Sequence, residues 1–402
     1  MNRLLLSLTL LASLLAATKP SDAIVFKTYI TGEDFTDGTK HVIFTVTFDP
    51  AVAGSASIVT TLEDPIHRLD GIDFVPGTGE TEVVAAGTHL VGADGFVGHY
   101  KVDTGTILPE YIPSTGTVPG SGITHPSSVK STATHFYYTE NQFGFEAGDP
   151  DRIIRAPFAG GPTEVVFFGT DAAVLAEFGV PLEDFEGLEI HDGRLYFFAR
   201  DPTSSDPALK RALFSVPLTA GVAVGATPVL ELGGLTRGSG STGSGPSVSD
   251  GSDELDFDPI TGLIWGTNII SGELIAFDPV GSVGAIVVDA TDVAGGSPTG
   301  LGLLGRVIDG IRSTSEGHLV FTGLDGVIGS IDLSGFISGG GLGAGTITDS
   351  DVFALIDASG DYAFDDLTPL AVFATTPEPS TFALAILGLA AFAFIAGRRR
   401  RP

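Results

Sequence analysis

Six short stretches of the chain offer a polar side chain at one shared position. Each combines a turn, a small or acidic residue and a short apolar strand, and together they cover residues 70–74, 121–125, 186–190, 253–257, 309–313 and 362–366. Alignment of the repeats is expected to place Asp73, His125, Glu189, Asp256, Arg312 and either Asp365 or Asp366 at equivalent positions near the axis. Because Ca²⁺ prefers oxygen ligands, Asp73, Glu189 and Asp256 are candidate ligands of a calcium ion. The alternative is that these side chains hydrogen-bond to the backbone of nearby turns.

The six stretches recur at intervals typical of a repeat architecture. Counted at their second residue, the intervals are 51, 65, 67, 56 and 53 residues. A second strand follows several of them, at 194–198, 263–265 and 318–321, and a third strand follows at 211–217, 274–278 and 327–332. Three or four short strands in about 50 to 65 residues resemble one blade of a β-propeller.

In the rhythm of its repeats the chain resembles the six-bladed β-propeller class, so the predicted fold is all-β over residues 24–374. Five or seven blades, a pair of β-sandwiches and a β-solenoid are the alternatives. The sixth stretch is too short to form a whole blade. Strands at 24–30 and 41–48 are therefore predicted to complete it and to close the ring, which would remove exposed sheet edges.

The composition restricts the partners that such a body could bind. Without the terminal segments 1–23 and 377–402, 14 basic residues face 47 acidic ones, a net charge of −33. A surface of this sign repels nucleic acid and anionic lipid and suits divalent cations or high salt. The chain has no cysteine, so stability must come from the core, to which 43% hydrophobic residues contribute.

One acidic residue resembles part of a known enzyme site. Glu186-Gly187 with the following Leu195-Tyr196-Phe197 resembles the opening blade of gluconolactonase-like propellers. That family holds a divalent metal with a glutamate, an asparagine and an aspartate. The resemblance implies a metal-dependent hydrolase or lactonase, but only Glu186 carries over, and no asparagine stands in a comparable context.

Other catalytic and metal-binding patterns argue against a local active site. Residues 250–258 hold five acids in nine positions without the spacing of an EF-hand, and a solvated acidic loop is predicted there. The eight histidines never fall in H-x-H or H-x-x-x-H pairs. Residues 300–305 match G-x-G-x-x-G without the strand and helix that a dinucleotide site requires. No G-x-S-x-G, P-loop or H-E-x-x-H pattern occurs, so a non-enzymatic body is favoured over an enzyme.

The last 26 residues have three parts in a fixed order. Pro377-Glu378-Pro379 precedes an apolar run at 382–397, and Arg398 to Arg401 follow it. The 16-residue run would measure roughly 24 Å as a helix. That length falls just short of the roughly 17 to 25 residues of a transmembrane helix, and the arginines would stay cytoplasmic. An ordinary tail anchor is one alternative, and a buried core helix is a weaker one.

This tail resembles the PEP-CTERM sorting signal of exported bacterial proteins, which is also described as an ice-binding protein C-terminal motif. The sorting motif would comprise Pro377, Glu378, Pro379, Arg398, Arg399, Arg400 and Arg401. The resemblance implies that an exosortase, a membrane transpeptidase, cuts near the triplet after a transient stay in the inner membrane. It covers only the tail and says nothing of the body.

The first 23 residues are typical of a secretory signal peptide. Arg3 precedes an apolar run at 4–17, and small residues end at Ala23, the preferred cleavage position, with Ala17 as the alternative. Signal and tail together predict an exported surface or extracellular protein whose partners are the secretion machinery, exosortase and matrix or exopolysaccharide.

Overall fold

The computed structural model describes residues 23–36, 39–89, 95–112, 126–141, 151–205, 210–236, 252–268, 274–288, 308–348 and 351–376. The chain divides into two compact units, residues 27–371 and the two ends 1–26 with 372–402. The predicted signal peptide, apart from Ala23, and the predicted transmembrane helix of the tail lie outside the described residues. Within the described ranges no helix is long and apolar enough to cross a membrane.

The body is a six-bladed β-propeller, as the repeat rhythm predicts. The first three strands are β1 (Ala23–Asp34), β2 (Lys40–Phe48) and β3 (Ser57–Asp64). Blade 1 comprises β4 (His67–Phe74), β5 (Glu82–His89), β6 (Gly95–Lys101) and β7 (Thr106–Ile107). Blade 2 comprises β8 (Val129–Ser131), β9 (His135–Glu140), β10 (Arg152–Pro157) and β11 (Glu164–Phe168), and helix α1 (Ala172–Phe178) follows it.

The remaining blades repeat this antiparallel order. Blade 3 comprises β12 (Glu186–His191), β13 (Arg194–Arg200), β14 (Lys210–Pro217) and β15 (Val229–Thr236). Blade 4 comprises β16 (Ser252–Asp258), β17 (Leu263–Asn268), β18 (Leu274–Asp278) and β19 (Val283–Val288). Blade 5 comprises β20 (Ile308–Ser313), β21 (His318–Gly323), β22 (Val327–Asp332), helix α2 (Ser334–Ser338), a 3₁₀ turn (Gly341–Gly343) and β23 (Val352–Asp357).

Blade 6 joins the two ends of the propeller. Its innermost strand is β24 (Tyr362–Leu367), which is followed outward by β1, β2 and β3, while β25 (Ala371–Thr376) also pairs with β1. Thr28 Oγ1 donates to the carbonyl of Thr368 at 2.9 Å, and the amide of Thr368 donates to Tyr29 at 2.9 Å. The predicted completion of the last blade by N-terminal strands is confirmed.

Core clusters lie between successive blades, because each sheet buries both faces. Between blades 2 and 3, Phe167 packs on Phe197 with ring centroids 5.4 Å apart, and Phe197 packs on Phe214 at 6.0 Å. Trp265 of blade 4 packs with the side chains of blade 5 and lies 5.2 Å from Phe336. Each such side chain contributes about 1.5–3 kcal/mol on burial, which compensates for the absence of disulfides.

The acid-glycine pairs of the repeats mark a β-bulge on the innermost strand. In blade 1 the register shifts between Leu69 and Ile72. This bulge presses Gly71 against blade 2, where its amide donates to Ser127 at 2.7 Å. A Cβ on Gly71 would lie 2.4 Å from the Ser127 carbonyl oxygen, so a side chain does not fit.

Threonines opposite the bulges link one blade to the next. Thr267 of blade 4 donates to the carbonyl of Asp309 in blade 5 at 2.9 Å. Thr322 of blade 5 donates to Asp365 in blade 6. Thr31 of blade 6 donates to the carbonyl of Asp70 in blade 1 at 2.6 Å. Since these bonds are buried, each ties the second strand of one blade to the innermost strand of the next where water cannot compete.

Candidate functional site at the propeller axis

The predicted calcium ligands occupy equivalent positions on three innermost strands. In the strand register, Asp73 lies opposite Val84, Glu189 opposite Tyr196 and Asp256 opposite Trp265. In each strand an apolar residue follows the bulge, and the acid comes directly after that residue. Arg312 holds the same position in blade 5, opposite Val320. The repeats therefore bring these four side chains to one level of the axis.

Blade 2 supplies a lysine at this level. The stretch at 121–125, including His125, lies outside the described residues. The innermost described strand of the blade is β8, in which Lys130 pairs with Tyr137. The amide of Ser131 donates to Asp73 and that of Ser313 to Asp256, which aligns Lys130 with Arg312. Sequence reasoning missed Lys130 because residues 126–131 carry serines where other repeats carry an acid and a glycine.

In blade 6 the predicted alignment is wrong by three residues. Leu367 pairs with Ile30 and Phe364 with Gly32, so the bulge falls at 365–366. Asp365 is thus equivalent to Asp70, and Thr368 takes the position equivalent to Asp73. Neither Asp365 nor Asp366 lies at the level of the candidate calcium ligands.

Lys130 connects two of the three carboxylates. Its Nζ lies 2.5 Å from Oε2 of Glu189 and 3.9 Å from Oδ1 of Asp256. Only 12% of the Lys130 side chain is exposed, and 7% of that of Glu189. The ammonium group therefore ties blade 2 to blades 3 and 4 in a setting that water reaches little.

Arg312 is the second cation of the axis and is buried to 1% exposure. Its NH1 donates to Oε1 of Glu254 at 2.6 Å, and its Nε lies 4.0 Å from Oδ1 of Asp256. Glu254 is equally buried. Arg312 and Lys130 thus place two positive charges among the carboxylates of three other blades, 1, 3 and 4.

Burial and these ion pairs together set the protonation of the cluster. Burial raises the pKa of Glu189 to about 7, although Lys130 opposes the shift. Burial likewise raises the pKa of Asp73 against the effect of Lys130 and Arg312. Burial alone would lower the pKa values of Lys130 and Arg312, but Glu189 and Glu254 respectively raise them, so both remain charged.

The arrangement does not fit an added calcium ion among Asp73, Glu189 and Asp256. The Lys130 ammonium lies in contact with Glu189, and Asp73 accepts the amides of Phe74 and Ser131, each at 2.7 Å. Across the described ranges, no group of three or more histidine or acidic side chains is placed to hold a metal. Turn and backbone bonding, the alternative for these positions, occurs at Asp73 and Asp256.

Glu186, the residue that resembles a lactonase ligand, is enclosed by polar partners. Ser127 donates to its Oε2, and Asn141 Nδ2 donates to its Oε1 at 3.1 Å. The side-chain oxygen of Asn141 accepts the amide of Phe185 at 2.8 Å. Asn141 thus turns its nitrogen, not its oxygen, toward Glu186, and this pair does not favour a metal. The contact between Asn141 and Glu186 could not be predicted from the sequence, since 45 residues separate them.

The acidic segment at 250–258 does not form a solvated loop in its described part. Residues 252–258 form β16, where Glu254 pairs with Arg312 and Asp256 accepts from Ser313. Asp258 is fully buried and accepts the amides of Ile260 and Thr261 in the turn that follows. The three carboxylates serve three separate structural roles.

Comparison with known proteins identifies the tail and the fold. Residues 375–401 match the family described as the PEP-CTERM protein-sorting motif. This motif implies export and membrane-associated sorting, with an exosortase as processing partner. We found no match among curated proteins.

Among solved structures, a nidogen/laminin complex matches with a TM-score of 0.53 at 12% identity, over 86% of this chain and 97% of that one. A gluconolactonase from Xanthomonas campestris matches at 0.43 and 14%, over 74% and 83%. The calcium-binding protein regucalcin from Agrobacterium tumefaciens matches at 0.38 and 12%, over 66% and 70%. At such identities the first likeness shows the fold alone, and TM-scores below 0.5 support no argument about this chain.

Proposed function

We propose that the chain is an exported surface or matrix protein whose propeller is a non-enzymatic binding or structural module. This proposal rests on the ion pairs that fill the propeller axis. Lys130 and Arg312 are committed to Glu189, Asp256 and Glu254, so the charged groups of the axis hold blades together. Groups that neutralise one another in this way are poorly placed to polarise a substrate.

The strongly acidic body supports a destination away from the membrane after processing. Four of the few basic residues, Lys130, Arg152, Arg211 and Arg312, are largely withdrawn from the surface into ion pairs. Each pair buries an acid with its base, so the surface keeps an excess of acidic groups and repels anionic lipid headgroups. A matrix component bearing cationic groups, or a polysaccharide bridged by divalent cations, fits this charge.

The alternative, a metal-dependent lactonase, is tested with the full-length chain on lactone and ester substrates with and without Ca²⁺. The proposal expects no turnover above that of a heat-inactivated sample. Turnover that is lost in Glu186→Gln, with an unchanged unfolding midpoint, would establish the enzyme and refute the non-enzymatic module.

The sorting step is tested separately by deleting residues 398–401 in a host that contains exosortase. Because the arginines hold the tail at the cytoplasmic side, the deletion is expected to leave an unprocessed chain in membrane fractions. The matched control replaces all four arginines with lysine, which keeps the charge. Normal processing of the deletion variant would refute the sorting role of the arginines.

A further inference from the structure

The outermost strand of each blade has one backbone edge with which no further described strand of its sheet pairs. These strands are β3, β7, β11, β15, β19 and β23. An open edge carries unpaired amides and carbonyls, and it therefore pairs readily with a strand of another chain. Proteins suppress such pairing by covering the edge, shortening the strand, bending it with a bulge or placing charged side chains on it.

Two of the six edges are covered by a turn from the next blade. The amide of Ala223 in blade 3 donates to the carbonyl of Val166 in β11 at 2.8 Å. The amide of Gly54 in blade 6 donates to the carbonyl of Ala354 in β23 at 3.1 Å. Both donors lie between the third and fourth strands of their own blades, so the same connection caps the neighbouring edge in each case.

Three further edges are short, charged or irregular. β7 contains only two residues. β3 ends in Glu63 and Asp64, and its register with β2 shifts once. β15 contains Glu231 and shifts its register with β14 twice. Each of these features opposes pairing with a second strand.

β19, the edge of blade 4, lacks a cap, a charge and a proline. Its sequence from Val283 to Val288 is Val-Gly-Ala-Ile-Val-Val, and its pairing with β18 is regular from Val283 to Ile286. In blade 5, the connection equivalent to the two capping turns forms helix α2 and a 3₁₀ turn. Across the described ranges, no backbone hydrogen bond reaches β19 from that connection or from any other part outside its sheet.

The side chains of β19 pack on both faces of blade 4. Ile286 packs against the core between blades 3 and 4, and Val287 against the core between blades 4 and 5. Val283 at the start of the strand is 56% exposed, and Val280 in the preceding turn is 86% exposed. A partner would therefore meet the backbone edge and an uncharged, apolar end of the strand.

The chemistry of this edge selects a second copy of the same strand. Only another extended strand offers the alternating amides and carbonyls that pair with an open edge. Two copies that met through β3 or β15 would bring acids of like charge together, whereas two copies of β19 bring none. Antiparallel pairing of β19 with itself is symmetric, so it satisfies both edges and closes the assembly at two chains.

We propose that β19 pairs antiparallel with β19 of a second copy, so that blade 4 of each chain contributes its four strands to one eight-stranded sheet across a two-fold axis. The paired segment has six residues and is roughly 20 Å long. Because so short a contact buries little area, the dimer dissociates on dilution. The interface lies at the rim of the propeller, so the proposal is independent of whether the body is an enzyme.

The first test measures the molar mass of the full-length chain in detergent by sedimentation over a series of protein concentrations. Wild type should show a monomer–dimer equilibrium. Val283→Lys should raise the dissociation constant at least about tenfold, because it places a charge on the paired edge. This variant also makes the body less acidic, so weaker association cannot come from greater repulsion between two acidic bodies.

The matched control is Val59→Lys on β3. Val59 is 61% exposed and also lies on an outermost strand, so both lysine variants should fold with the unfolding midpoint of wild type. Val59→Lys should leave the dissociation constant unchanged. All variants carry the same terminal segments, so any association through those segments is common to them.

A second readout uses single cysteines, since the chain contains none. In antiparallel self-pairing, one residue lies opposite its own copy at the two-fold axis, with the Cα atoms about 4.5–5.5 Å apart. Disulfides bridge Cα separations of about 4.4–6.8 Å. A cysteine scan through 283–287 should therefore give a linked dimer at one position, whereas Ala354→Cys on the capped strand β23 should give none.

Three results would overturn the proposal. One is a wild-type chain that stays monomeric at every concentration, even if the edge takes a strand of another protein. Another is equal weakening of the dimer by Val283→Lys and Val59→Lys. The third is disulfide linkage to the same extent at Ala354→Cys and throughout β19, which also decides the matter if Val283→Lys does not fold.

Discussion

The pair of Glu254 and Arg312 gives the sharpest test of an axis that is held by ion pairs. Both side chains are 1% exposed and lie 2.6 Å apart, so solvent screens the pair little. Replacing one partner leaves the other as an uncompensated buried charge, which costs about 3–5 kcal/mol. We therefore expect Arg312→Met and Glu254→Met each to lower the free energy of unfolding by about that amount. Arg312→Met should be the larger loss, because Asp256 also faces the guanidinium group.

The double variant distinguishes a buried pair from two independent contributions. With both charges replaced by apolar side chains, no unpaired charge remains, so the loss should be smaller than the sum of the single losses by about 1–3 kcal/mol. Guanidinium unfolding of the three variants and wild type, followed by Trp265 fluorescence, measures each free energy. A surface cycle with Arg155 and Glu164, of which the glutamate side chain is 54% exposed, is the matched control and should show coupling below about 1 kcal/mol.

Additive losses at Glu254 and Arg312 would refute the reasoning, as would single losses no larger than those of the surface cycle. Either result would mean that water or another group satisfies the guanidinium without Glu254. The axis would then be open to a ligand, and the non-enzymatic proposal would lose its main support.

Two further predictions follow from buried groups. Thr31→Val removes the hydroxyl that donates to the carbonyls of Asp70 and Asp366, so it should lower the free energy of unfolding by about 1–3 kcal/mol. Thr60→Val, at an exposed threonine, is the control and should change this free energy little. Equal losses in the two variants would refute the role of Thr31 in joining blade 6 to blade 1. Folding raises the pKa of Glu189 from 4.5 to about 7, so the folded state binds this proton more tightly than the unfolded state. The resulting contribution to stability is fully present below about pH 4.5 and is lost as the pH rises through 7. The change amounts to about 3 kcal/mol. Denaturant midpoints between pH 5 and 8 should therefore fall with rising pH in wild type more steeply than in Glu189→Gln, and parallel profiles would contradict the assignment.

The blades could be predicted because strand formation is largely local. The run Arg194–Arg200 combines aromatic residues with a preceding glycine turn, and the structure forms β13 there. The N-terminal strands could be assigned to the last blade because a closed ring needs four strands in every sheet. Both inferences need only local pattern and the requirement that sheet edges be covered.

The site could not be predicted to the same depth, because its contacts join distant residues. Lys130 and Glu189 are 59 residues apart, and the serine-rich approach to Lys130 lacks the acid-glycine signature of the bulge. In the last blade the bulge lies three residues later than the sequence alignment placed it. The hydrophobic pattern of a strand does not indicate where a bulge shifts the register. The acids and Arg312 were visible in the sequence, but Lys130 and the pairing of these charges were not.

The composition of blade 6 has a consequence for the order of events during export. The hydrogen bond from Thr28 to Thr368 joins residues 340 positions apart. Strand β1 therefore cannot pair with β24 until almost the whole body has been translocated. During that time blades 1 to 5 can form in sequence as an open arc, while the inner edge of β1 stays unpaired. Contacts of such separation slow folding and expose strands to aggregation. Only β25 lies between β24 and the sorting tail in sequence, so the ring can close only when translocation has nearly reached the tail.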